Sequence, residues 1–299
     1  MVAGQPFLFA AGNTKESNMK PVRRAAAIIA IAVFAVPAMA LAAAPGSSDS
    51  NWSGSGEFGL ANATGNTQSL NMDAKFRLGY ENDTWKDAFF LDANRAKSNV
   101  KAPVIVNGVV VGEASSYQTT ANHFDAGGSV GYKFNPRSYM IGAARYDHDD
   151  FGPNRWQEVA SIGFGYILFK TGRSELSVEA GPGYKRYQPQ TYTKVDTGVT
   201  PPVVTQVTPP VQDEVIGRGL VNYKLAMTDS VSLQETFLAE VGSENKYYQN
   251  DIGVAVAMTK TLALKVAYEN RYNSNIVPGT RHLDSLFTTN LVYNFGRNQ

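Results

Sequence analysis

Two kinds of residue in this chain could do chemistry: its histidines, and a set of charges spread through otherwise apolar segments. The chain has only three histidines, His123, His148 and His282, and no cysteine. Thiolate nucleophiles, thiolate metal sites and disulfides are therefore excluded. The densest polar run is Tyr146-Asp147-His148-Asp149-Asp150. A histidine oriented by a carboxylate can activate water or a serine hydroxyl, so His148 with Asp147 or Asp149 is the candidate for a membrane hydrolase. No nucleophile-elbow sequence stands nearby. If the run is a strand end, neighbours point to opposite faces, and Asp147 is badly placed to orient His148. Asp147, Asp149 and Asp150 also offer carboxylate oxygens to a divalent cation, free or bound to lipopolysaccharide. The plainer reading is a polar strand end entering a solvated loop.

The elements that must position these residues read as strands. Leu70, Met72, Ala74, Phe76, Leu78 and Tyr80 alternate with Asn71, Asp73, Lys75, Arg77 and Gly79. Period two places the sets on opposite faces, and about eleven residues is the length of a tilted strand crossing a bilayer. The pattern returns at 123–134, where Phe124, Ala126, Val130 and Tyr132 oppose His123, Asp125 and Lys133. Further examples are Ala160 to Leu168, Leu262 to Arg271, and Phe287, Thr289, Leu291, Tyr293 and Phe295. Weaker cases run near 52–60, 85–96, 139–148, 174–187, 214–226, 231–242 and 248–258. The expected fold is all-β, an antiparallel up-and-down transmembrane β-barrel of about twelve strands over residues 51–295.

Short turns are predicted at 81–84, 135–138, 170–173, 227–230 and 259–261, in the periplasm. Longer extracellular loops are predicted near 97–119, 149–155, 188–213, 243–247 and 273–281. Within 97–119, Val104–Val111 is interrupted by Asn107-Gly108, a type I′ hairpin signal. Its arms are too short to span, so it either extends the wall or tucks into the mouth. Pro201, Pro202, Pro209 and Pro210 oppose a central strand and make 200–211 an extended loop. Rings collect at both strand ends: Tyr80, Trp85, Tyr132 and Tyr139 near short turns, and Tyr146, Trp156, Tyr184, Tyr187, Tyr248 and Tyr272 near long loops. Such rings suit the membrane interface. A soluble sandwich also alternates, but its strands are usually about five or six residues long.

The N-terminus is read separately. Lys20, Arg23 and Arg24 precede the apolar stretch Ala25 to Val36, and small residues follow at Ala38, Ala40, Ala42 and Ala43. This is a secretory signal pattern. Residues 1–42 are the expected signal region, cleaved after Ala42 or alternatively after Ala40. Met19 is a candidate start, and 43–50 is a linker. The formal net charge is +1, while residues 1–42 alone carry +3, from Lys15, Lys20, Arg23 and Arg24 against Glu16. The remainder is slightly acidic, unlike a nucleic-acid binder.

Charge placement then bears on the lumen. Glu57, Asp73, Lys75, Arg77, Asp125, Lys133, Arg145, Glu179, Lys185, Arg218, Lys224, Lys265, Glu269, Arg271 and Asp284 lie on the polar faces. A charge facing lipid at mid-bilayer costs about 2–4 kcal/mol, so these side chains are expected to line the lumen. Both signs occur in similar number. That suits a salt-bridged, filled or narrowly gated barrel, with a weakly selective polar pore as the alternative.

Several segments resemble one family. They are W-S-G-S-G-E-F-G-L at 52–60, T-G-N-T at 64–67, A-R-Y-D-H-D-D-F at 144–151 and E-A-G-P-G-Y at 179–184. V-G-S-E-N at 241–245, N-S-N-I-V-P-G-T at 273–280 and L-V-Y-N-F at 291–295 complete the set. Together they resemble the YdiY-like salt-induced outer membrane proteins (domain of unknown function 481). The resemblance implies an outer-membrane barrel, and its description implies a role in osmotic or salt stress. It implies no activity for particular residues. The leading expectation is a non-enzymatic envelope barrel without cofactors, touching outer-membrane lipid and lipopolysaccharide. A passive channel for small polar solutes is second and a hydrolase third. Phe295 resembles the terminal aromatic read by the barrel-assembly machinery, although a C-terminal extension, 296–299, follows it.

Overall fold

The computed structural model describes residues 51–63, 68–106, 109–196, 198 and 203–296. The signal region, the linker, the T-G-N-T segment, Asn107-Gly108, Pro201, Pro202 and residues 297–299 lie outside the described residues.

Among the described residues there are fourteen strands. They are β1 (Trp52–Ala63), β2 (Ser69–Glu81), β3 (Trp85–Val106), β4 (Val109–Lys133), β5 (Ser138–Asp149), β6 (Asn154–Lys170) and β7 (Ser174–Pro189). Then come β8 (Tyr192–Asp196), β9 (Val203–Val207), β10 (Gln212–Ala226), β11 (Val231–Gly242), β12 (Lys246–Ala257), β13 (Leu262–Asn273) and β14 (Leu283–Gly296). Twelve of them form a closed antiparallel barrel. Each pairs with its sequence neighbour, except that β7 pairs with β10 and β1 closes onto β14 from Ser53↔Gly296 to Phe58↔Leu291. Closure leaves no unpaired edge, the condition for strands to cross hydrocarbon.

The period-two pattern becomes two faces. Leu60, Met140, Ile162, Phe164, Val215, Phe287 and Leu291 are exposed on the outside. Asp73, Lys75, Asp125, Asp147, Glu179, Lys185, Glu240 and Glu269 are buried on the other face. No helix of the described residues is long and apolar enough to cross a membrane.

The five short turns share one device. Asn82, Asn135, Thr171, Thr228 and Thr259 each begin a turn. Each side-chain oxygen accepts the backbone N–H groups two and three residues on, at 2.6–3.3 Å. Asn and Thr do this because their short polar side chains imitate a backbone acceptor. Trp52 and Gly296 lie at this same end, beside the turn that follows Tyr80.

The other end is uneven. β3 and β4 stay paired beyond their neighbours, out to Val106↔Val109, with register shifts after Ala96 and Val104. The arms 104–106 and 109–111 therefore extend the wall. Part of the expected loop 200–211 differs: Val203–Val207 pairs with Tyr192–Asp196 as a separate two-stranded sheet. Pro209 and Pro210 follow this strand, so neither removes a ladder hydrogen bond from it.

Glycines make room where rings cross strands. A Cβ at Gly165 would overlap ring carbons of Tyr139. The Tyr139 ring lies in that slot, fully buried, and donates its hydroxyl to Glu179 at 3.0 Å.

Candidate functional site

Twelve strands about 4.8 Å apart, tilted about 40°, enclose a backbone cylinder about 24 Å across. Long side chains from opposite walls can meet across it, and they do. Arg145 on β5 reaches Glu240 on β11 with both carboxylate oxygens 2.9 Å from Nη2. Three strands of the wall, β6, β7 and β10, lie between them. Lys75 on β2 donates at 3.1 Å to Asp251 on β12 and to Glu269 on β13. Lys185 stands 4.0 Å from Glu240, and the Arg145 and Lys185 cations both lie over the Tyr247 ring. Glu57 with Lys265 (3.0 Å) and Glu179 with Arg218 (3.4 Å) add further pairs. Arg77 pairs with Asp92, with 2.6 Å from Nη2 to Oδ2, and lies over Phe90. Asp73 accepts from Asn290 at 2.7 Å.

At the short-turn end a lysine-rich network bridges the lumen. Lys133 and Lys170 reach Glu81 at 2.7 and 3.5 Å, and Lys170 and Lys86 reach Glu175 at 2.9 and 3.4 Å. Lys224 is in register opposite Glu175.

Toward the other end lies an acidic cluster. Asp92, Asp125 and Asp147 are in-register neighbours on β3, β4 and β5, and Gln157 on β6 continues the row. The His123 Nε2 atom is 2.9 Å from Asp147 Oδ2. Donor atoms of His123, Asp125 and Asp147 lie within 4.8 Å of one another. A cavity of about 20 Å³ opens beside them, lined also by Gln157, Asp149, Arg271, Asn273 and Asp284. Asp284 is exposed and reaches the cavity from β14. Loop 150–153 covers the cavity through Gly152 and Pro153, and Asp149 accepts the Phe151 and Gly152 N–H groups at 2.8 and 2.9 Å.

His148 lies on the opposite face. Its ring stacks on exposed Phe124, and Nε2 is 3.0 Å from Asp150 Oδ1. Asp147 turns inward to His123, so a His148–Asp147 dyad is not formed. The three carboxylates Asp147, Asp149 and Asp150 are not brought together either: Asp147 and Asp149 line one cavity, whereas Asp150 turns outward to Asn122 and His148. Tyr139 and Tyr187, placed by sequence with the interfacial rings, are instead buried inside the barrel, beneath the Lys86 and Lys185 cations. Sequence reasoning passed over His123, Asp147, Glu240 and Asp251 as lumen groups. The inward alternation of Asp125 extends to His123, and that was the available signal.

Two of the shared segments meet at the outer end. Asn245 donates to Asn273 at 3.0 Å and accepts from Asn275 N at 3.1 Å, joining V-G-S-E-N to N-S-N-I-V-P-G-T.

A family model, "Protein of unknown function, DUF481", matches residues 56–295. No curated protein matches the chain. Among solved structures, it is similar to an outer membrane channel from Pseudomonas putida. Identity is 10%, coverage 84% of this chain and 97% of that one, and the TM-score 0.42. It is similar to the translocator domain of the autotransporter NalP from Neisseria meningitidis at 10% identity, with coverage of 82% and 87% and a TM-score of 0.42. For the NanC porin the identity is 8%, the coverage 82% and 99%, and the TM-score 0.43.

Proposed function

The chain belongs to the DUF481 family, and we propose that it is a non-enzymatic envelope protein of the outer membrane whose lumen is held shut by ion pairs. The carrying observation is the Arg145–Glu240 pair, which ties walls separated by three strands. A buried pair of this kind is costly to break, because the partner left behind is an uncompensated charge. Burial also shields it from salt screening. In planar bilayers the purified protein is expected to give no steady open-channel steps; reproducible large steps would overturn the closed lumen.

A second reading, passage of small polar solutes, is favoured by one observation. Lys185 Nζ, Arg145 Nη1 and Tyr187 Oη are buried without a protein hydrogen-bond partner, as suits groups facing internal water. Swelling of liposomes loaded with the protein in small sugars tests it.

The stress role comes from the resemblance to salt-induced proteins. It predicts slower growth at raised osmolarity when the chain is deleted, and unchanged growth would remove it. Export by residues 1–42, release to the linker 43–50, and assembly through β14 and Phe295 belong to the same proposal. The exposed apolar band supports contact with outer-membrane lipid and lipopolysaccharide.

A further inference from the structure

We propose that His123, Asp125 and Asp147 form a divalent-cation site inside the barrel, with the Gln157 side-chain oxygen as a fourth donor. Three independent features support it.

The first is geometry. One donor atom from each of the three residues lies within 4.8 Å of the others, and all three residues are less than a tenth exposed. His123 and Asp125 are two apart on β4 and so share a face, and Asp147 is the register partner of Asp125. Separations of this size let a small cation draw the donors into its shell.

The second is an unmet oxygen. Gln157 is 4% exposed, and its Oε1 has no hydrogen-bond partner. It is the register partner of Asp147 and lines the same cavity as His123 and Asp147. Asp125 Oδ1 is buried and unpartnered as well. Buried acceptors without donors are unfavourable unless something positive reaches them, and carboxylates side by side on neighbouring strands repel.

The third is charge. Asp147, Asp149 and Asp284 line the cavity, and among the described residues Arg271 is the one arginine or lysine that does so. Arg145 also approaches Asp147, at 3.6 Å. Both guanidiniums are already engaged, Arg145 with Glu240 and Arg271 with Glu269. Negative charge is therefore in excess where the donors converge. The cavity, about 20 Å³, is sized for a single ion or water and not for an organic solute.

The donor set selects the ion. One imidazole with carboxylate and amide oxygens suits a first-row cation such as zinc or manganese better than the all-oxygen shells of calcium and magnesium. On binding, the cation takes the place of the His123–Asp147 hydrogen bond.

The test uses the full barrel, folded in detergent and stripped with EDTA, titrated calorimetrically with zinc, manganese and calcium chloride. One zinc or manganese ion per chain is expected, with weaker calcium binding. Asp125→Asn should lower zinc affinity by roughly tenfold or more, and Gln157→Leu by less. His148→Gln, on the outer face, should leave it unchanged. Heat-modifiable gel migration identifies folded variants; if Asp125→Asn does not fold, His123→Gln takes its place. Absence of zinc and manganese binding by the intact barrel, full binding by the inner-face variants, or loss with His148→Gln would each overturn the site. Conductance is read separately, so the site and the closed lumen can fail independently.

Discussion

The two ends of the lumen are built with opposite charge in excess. At the short-turn end, Lys86, Lys133 and Lys170 share Glu81 and Glu175, with Lys224 in register beside them. Farther up, Asp92, Asp125 and Asp147 stand on adjacent strands with Asp149 and Asp284 nearby. The difference lies in more than sign. The Lys170 side chain is half exposed, whereas Asp147 and His123 are buried. Lys170 and Lys86, on flexible stems that reach water, exchange partners at little cost, although Lys133 is as buried as Asp147. Buried carboxylates held in register cannot, so their surplus charge must be met by fixed partners or by an ion.

The largest effect should come from the middle of the lumen, between these regions. Glu240→Ala leaves Arg145 and Lys185 buried without their shared carboxylate. It should destabilise the barrel by about 3–5 kcal/mol, read by urea unfolding in detergent micelles. A loss of less than about 1 kcal/mol would mean that water, not protein, holds these cations.

Next comes the lysine-rich end. Glu81→Ala with Glu175→Ala removes both acids from the network. The loss should be smaller than for Glu240→Ala, about 1–3 kcal/mol, because Lys170 and Lys86 reach water and the cost falls mainly on buried Lys133; any residual leak should become anion-selective. Reversal potentials in a salt gradient measure this, and an unchanged potential would mean that this end does not control passage.

The turns give a smaller effect. Thr228→Ala removes the acceptor for Ser230 and Val231 N–H and should cost about 1 kcal/mol. Thr228→Asn, which restores the device used at Asn82 and Asn135, should recover most of it. Equal losses for both would assign the turn's stability to its backbone alone.

The smallest effect concerns Asp150, outside the spans. Hydrogen bonds from Asn122 and His148 hold its carboxyl below the usual aspartate range. A depressed folded-state value contributes stability that is present above the unfolded value, about 3.9, and is lost as pH falls through the lower folded one. Protection of loop 150–153 from proteolysis should therefore weaken only in acid. Asn122→Ala should move that weakening to higher pH, and an unmoved profile would exclude Asp150 as its source.

Much of the architecture could be read locally. The alternation of Leu70 to Tyr80 established one strand, and its repetition established the barrel. The breaks between alternating runs located the short turns; that one side chain, Asn82, Asn135, Thr171, Thr228 or Thr259, serves each whole turn came from the structure. The partners of the charges were not legible in this way. Arg145 and Glu240 are separated by 95 residues, and Lys75 and Glu269 by 194. Glu240 sits in a strand whose alternation is weak, so nothing local marked it as a lumen group.

The sequence by itself therefore determined which residues share a face, because side-chain direction in a strand depends only on parity. It separated Asp147 from His148 for the same reason. Only the tertiary structure decided which charges meet: closing twelve strands into a cylinder brings opposite walls within reach of an arginine and a carboxylate. Closure and register also set Asp125, Asp147 and Gln157 side by side beneath loop 150–153, and no spacing along the chain encodes that meeting.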